Sequence, residues 1–192
     1  MIKLNIVFVT GIISACCTVL ALIFYLAQPG FLSSVSPAYP PLNVLGKILL
    51  VAFLTLFLLL IKNTDKVLKA IISIIGLLTM IQIVTNNSYI DEIYSKIFIC
   101  HILGIALFCA YYFIKSTNIY LKIVAGSEFI ILVIIIVITI ILPYFNLWFW
   151  QVLSNIIGKI GFLIFLIAIY AYHKNAFKKS QSGSLISDSF GC

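Results

Sequence analysis

Few side chains in this sequence could do chemistry, and those few sit inside long apolar runs. Gln151, Asn155 and Lys159 recur at i, i+4 and i+8 within the last run, 145–172. On a helix that spacing makes one slowly rotating polar stripe. Ser154, Gly158 and Gly161 form a neighbouring stripe of small residues, where a second helix can approach closely. A lysine facing lipid at mid-membrane costs about 2.5–3.5 kcal/mol on insertion scales, so Lys159 is expected to face the interior of a bundle. Glu128, on the preceding run, is its candidate partner. Counted from the basic end of its own helix, Glu128 lies about 13 Å deep and Lys159 about 20 Å, a gap that a lysine stem largely spans. The pair reads in three ways: an ion pair that fixes helix register, part of an ion or proton path, or two groups that each find another partner.

A second constellation is positional. Asn43, Lys47, Thr79, Gln82, Asn86, His101, Gln151 and Asn155 all fall in the same half of their runs, away from the basic connectors. This asymmetry predicts a wet vestibule floored near Lys159. Lys47, Lys159 and His101 would give it a preference for a small anion or a lipid head group. The candidate ligand-binding set is therefore Lys47, Gln82, His101, Gln151, Asn155 and Lys159. The competing reading is that these residues cap helix ends and bond across helices. Catalytic templates are mostly missing: there is no G-x-S-x-G, H-E-x-x-H or Walker loop. A Cys100–His101 dyad fails because adjacent helical residues point about 100° apart. His101 as base with Lys47 as electrophile is the one acid/base pairing open to a lipid-modifying enzyme. No metal site and no cofactor are expected, since no C-x-x-C or His/Cys cluster has zinc spacing and only His101 of the two histidines lies within a span.

The elements that must position these groups are membrane helices. The chain of 192 residues is 64% hydrophobic and 9% charged, far from the roughly 25% charged of soluble domains. The expected class is all-α: a six-span bundle over 1–179, with spans at about 4–27, 44–61, 67–84, 97–114, 119–142 and 147–172. Residues 180–192 read as a disordered tail. Segment 28–43 carries Pro29, Pro37, Pro40 and Pro41 and is expected to be an irregular cap rather than a helix. A tight turn is expected at Pro143–Asn146, with Trp148 and Trp150 as an aromatic belt. Ile13-Ser14-Ala15-Cys16 resembles a lipobox, but the chain stays apolar beyond Cys16, which favours an uncut first helix.

The net charge of +7 comes from lysine alone. Its distribution is topological, which argues against a nucleic-acid partner. With six spans, Lys3, Lys62, Lys66, Lys69, Lys115, Lys122, Lys174, Lys178 and Lys179 share one side, against Lys96 on the other. By the positive-inside rule both termini are cytoplasmic (N-in/C-in), in what is expected to be a bacterial cytoplasmic membrane.

Leu42-Asn43-Val44-Leu45-Gly46 opens the second span, His101-Ile102-Leu103-Gly104 opens the fourth, and a polar stretch at 148–155 opens the last. On these the layout resembles an uncharacterised six-span family of unknown function, akin to the DRAM-like autophagy-modulator group. Such proteins tend to carry a glutamate early in the last helix, where this chain has Gln151. The resemblance implies a fold and no activity. The leading expectation is a non-catalytic protein of the lipid bilayer that binds or helps transport a small anionic molecule or lipid. A lipid-acting enzyme and an accessory subunit packed against a membrane-protein partner are the alternatives.

Overall fold

A computed structural model describes the backbone of residues 4–26, 39–61, 65–85, 91–141 and 148–187, and side chains within these for 4–24, 41–61, 65–84, 96–140 and 153–174. The cap at 28–38, the turn at 142–147, Asn86, Cys192 and the side chains of Gln151, Trp148 and Trp150 lie outside this description. The described chain is all-helical: α1 (Leu4–Leu26), α2 (Tyr39–Leu60), α3 (Lys66–Thr85), α4 (Asp91–Lys115), α5 (Ile119–Ile141) and α6 (Trp148–Ser187). Each contains a stretch long and apolar enough to cross a bilayer.

Three boundaries differ from the sequence reading. α2 begins at Tyr39, so Pro40 and Pro41 belong to its first turn. Proline is tolerated there because the N–H groups of a first turn have no partner within the helix. α4 begins at Asp91, a turn and a half before the apolar run, with Asp91 and Glu92 at the end that favours negative charge. The backbone of α6 continues to Ser187, past the boundary set for the tail.

The connectors follow local capping chemistry. Asp65 accepts the Leu68 N–H at 3.3 Å to start α3. Asn118 accepts the Tyr120 and Leu121 N–H groups at 2.9 and 3.2 Å to start α5. Both are side-chain N-caps that satisfy donors a helix start leaves open.

The helices pack as a closed ring: α1 on α2, α2 on α3, and so on to α6, which packs back on α1. Glycines set the closest crossings. A Cβ at Gly46 would stand 3.2 Å from the Ser14 carbonyl oxygen and 3.3 Å from the Thr18 nitrogen. Ser14 Oγ donates to the Gly46 carbonyl at 2.6 Å, which ties α1 to α2. Gly104 faces Ile75, where an added Cβ would meet Cγ1 at 3.0 Å, and this sets the α3–α4 crossing. Gly158 and Gly161 receive Ile135 and Glu128 of α5, so the small-residue stripe is the α5–α6 contact. The outer surface carries the residues a lipid environment asks for, such as Leu59, Val67, Val84, Ile114 and Ile123, all more than 60% exposed.

Candidate functional site: a polar layer across the ring axis

One end of the ring is filled with aromatic rings. Phe57 of α2 meets Phe108 of α4 at 6.2 Å between centroids, and Phe108 meets Phe165 of α6 at 5.5 Å. Phe8 of α1 lies 5.5 Å from Phe57. No substantial backbone packing joins α2, α4 and α6 to one another among the described residues, so these contacts cross the axis. Tyr112 Oη and His173 Nε2 lie 3.1 Å apart just below them, and Tyr170 Oη donates to Asn5 Oδ1 at 2.8 Å where α6 meets α1. This floor occupies the end that carries the α2–α3 and α4–α5 connectors. The floor was not foreseen from the sequence. Its signal was there in the recurrence of Phe53/Phe57, Phe108/Tyr112 and Phe162/Phe165 at helical spacing.

The other half of the interior is polar. Lys47 on α2, His101 on α4 and Lys159 on α6 lie within electrostatic reach of one another. Since their helices alternate around the ring, the three side chains converge on its axis. Lys47 and His101 are 8% and 3% exposed, and Lys159 is partly buried. Lys159 lies six residues before Phe165 and His101 seven before Phe108, which sets the polar layer roughly 9–10 Å from the aromatic floor.

His101 is held in a defined way. Its Nε2 lies 3.0 Å from Thr79 Oγ1, and Thr79 donates its only proton to the Ile75 carbonyl at 2.7 Å. Thr79 can therefore only accept from the imidazole. The ring is the Nε2–H tautomer, with the Nδ1 lone pair left over. Gln82, one turn beyond Thr79, is buried and its Nε2 has no hydrogen-bond partner.

Glu128 of α5 is 1% exposed, and neither of its oxygens accepts a hydrogen bond. Its carboxyl carbon would stand 2.8 Å from a Cβ placed on Gly161, so it fits only because α6 has no side chain there. Lys159 is its electrostatic neighbour, beyond hydrogen-bonding distance. Depth matching from the sequence thus brings the two to adjacent turns without closing a direct bond. Thr139, three turns along the same face of α5, is 4% exposed and its hydroxyl likewise has no partner among the described residues. The α5–α6 register carries it to the level of buried Ser154. Thr139 was missed because it stands alone in an aliphatic stretch.

Of the sequence-derived candidates, Lys47, His101 and Lys159 come together. Gln82 lies on the same face as Thr79, Asn155 is partly buried on α6, and the Gln151 side chain lies outside the described residues. Cys100 is exposed and Cys109 buried, on opposite faces of α4. The arrangement holds two ammonium groups and one carboxylate, with donors and acceptors unused at Gln82, Thr139 and Glu128. The chain matches no family model, no curated protein and no solved structure in these comparisons.

Proposed function

We propose that this is a non-catalytic integral membrane protein that holds a small anion, or the anionic head group of a lipid, in the polar half of its ring. The observation that carries this reading is the convergence of Lys47, His101 and Lys159 from three alternating helices. Two cations near one carboxylate leave a surplus positive charge in a low-dielectric interior. Like charges within electrostatic reach of one another in a low-dielectric interior repel, and a bound anion would offset that repulsion. Unused hydrogen-bonding groups at Gln82 and Thr139 add polar contacts for such a ligand. The aromatic floor would confine it to one side, consistent with binding or a step of transport from the face opposite the termini. The lysine-rich connectors support cytoplasmic termini by the positive-inside rule.

The test uses inorganic phosphate and glycerol 3-phosphate as probes, read as thermal stabilisation of the detergent-purified chain. Stabilisation by either, lost in Lys47→Gln and Lys159→Gln, is the expected result. Phosphate alone stabilising assigns a free anion, and glycerol 3-phosphate alone a head group. Equal stabilisation of wild type and both variants would remove the proposal. For the enzymatic alternative, in which His101 is the base, the Thr79 bond fixes Nε2 as the donor and leaves Nδ1 as the nitrogen that would take a proton.

A further inference from the structure

On the outside of the ring, far from the polar layer and independent of it, α3 and α4 separate towards the connector end. They touch where Gly104 meets Ile75. Below that crossing they enclose a cavity of about 810 Å³, lined by Lys66, Val67, Ile71, Leu107, Ile114 and Lys115 among others. Val67 and Ile114 are 63% and 70% exposed, so the cavity opens sideways, where lipid would lie.

Its depth and charge select an occupant. From Lys115 to Leu107, the deepest lining residue on α4, is eight residues, about 12 Å along the helix, against about 15 Å for half the hydrocarbon core of a bilayer. A wedge that ends at mid-membrane suits an acyl chain and not a second crossing helix, which would need a groove along the full span. At its mouth stand two exposed lysines, Lys66 and Lys115. The one carboxylate among the described lining residues, Asp65, caps Leu68 and accepts the hydroxyl of Tyr111, which lines the cavity too, so one negative charge stands against two positive ones. The mouth therefore keeps net positive charge above an apolar slot.

We infer that the α3–α4 groove is a binding site for an anionic phospholipid, with its phosphate on Lys66 and Lys115 and an acyl chain against Ile71, Leu107 and Ile114. Lysines near a membrane surface contribute roughly a fivefold preference for anionic lipid each. The experiment is native mass spectrometry of the full chain, equilibrated in mixed phosphatidylglycerol and phosphatidylcholine vesicles and then extracted. Phosphatidylglycerol should be retained preferentially, and Lys66→Gln/Lys115→Gln should weaken its retention by about 30-fold. Ala110→Phe, which fills the slot and leaves both lysines, should lower retention as well. Lys122→Gln/Lys174→Gln, at the same end but outside the groove, should change it less than threefold. Equal loss in the two lysine pairs would mean a diffuse surface attraction and overturn the site. So would undiminished phosphatidylglycerol in the groove pair, or a second copy of the chain retained there in its place.

Discussion

Gly46 and Gly76 occupy helix interiors one ring contact apart, and alanine should act on them with opposite sign. Either substitution gains about 0.8–1.0 kcal/mol of helix propensity. At Gly76 the nearest atom to the added Cβ is Leu54 Cδ1 at 3.9 Å, an ordinary contact. Gly76→Ala should therefore stabilise the protein by nearly the whole propensity gain. At Gly46 the same methyl would meet Thr18 Cγ2 at 2.6 Å and the α1 backbone at 3.2 and 3.3 Å. A backbone cannot rotate away, so α1 and α2 must separate. Overpacking of this kind costs about 1–3 kcal/mol, and losing the 2.6 Å Ser14–Gly46 bond adds about 0.5–1.5 kcal/mol. After subtracting the propensity gain, Gly46→Ala should destabilise by about 0.5–3.5 kcal/mol. Thr18→Ser in the same chain removes the closest methyl and should recover part of this. The assay is the midpoint of reversible unfolding in detergent for the two single variants and the double. If Gly46→Ala stabilised as much as Gly76→Ala, the α1–α2 crossing described above would be wrong. Because Lys47 follows Gly46 directly, the variant should also weaken anion binding at the polar layer.

Two further outcomes follow from the interior hydrogen bonds. Thr79→Val leaves the buried His101 Nε2–H without its acceptor and should cost about 1–3 kcal/mol, while adding it to His101→Leu should cost much less; additive effects in the double-mutant cycle would mean the pair does not interact. Glu128→Gln removes no hydrogen bond, so unfolding should shift by less than about 1 kcal/mol, and a larger loss in the same assay would reveal a direct ion pair with Lys159.

Much of this architecture was legible because helices that are long and apolar throughout advertise themselves. Apolar runs of span length predicted all six elements, and Gly158 and Gly161 of the small-residue stripe predicted a side of α6 that another helix approaches closely. Helix starts were less legible. Polar Asp91–Lys96 and proline-bearing Tyr39–Pro41 do not look like apolar span, yet helices extend through them because the first turn tolerates acids and proline. Ring order was not legible at all. Nothing in the periodicity of α1 says that it meets α6, and only that closure makes α2, α4 and α6 alternate and aims Lys47, His101 and Lys159 at one another. Depth matching set Glu128 near the level of Lys159, but its seat against Gly161 depends on a rotation of α5 that an aliphatic helix does not encode.

The contact between the first and last helices also sets an order of assembly. Until α6 is in place, α1 to α5 can form only an open arc, and Lys47 and His101 then border a cleft with no opposite wall. The arc becomes a barrel when α6 arrives, carrying Lys159 and the glycine seat for Glu128 together. Lys159 and the Gly161 seat of Glu128 both belong to α6, so an arc of α1 to α5 alone would leave Lys47, His101 and Glu128 facing an open side.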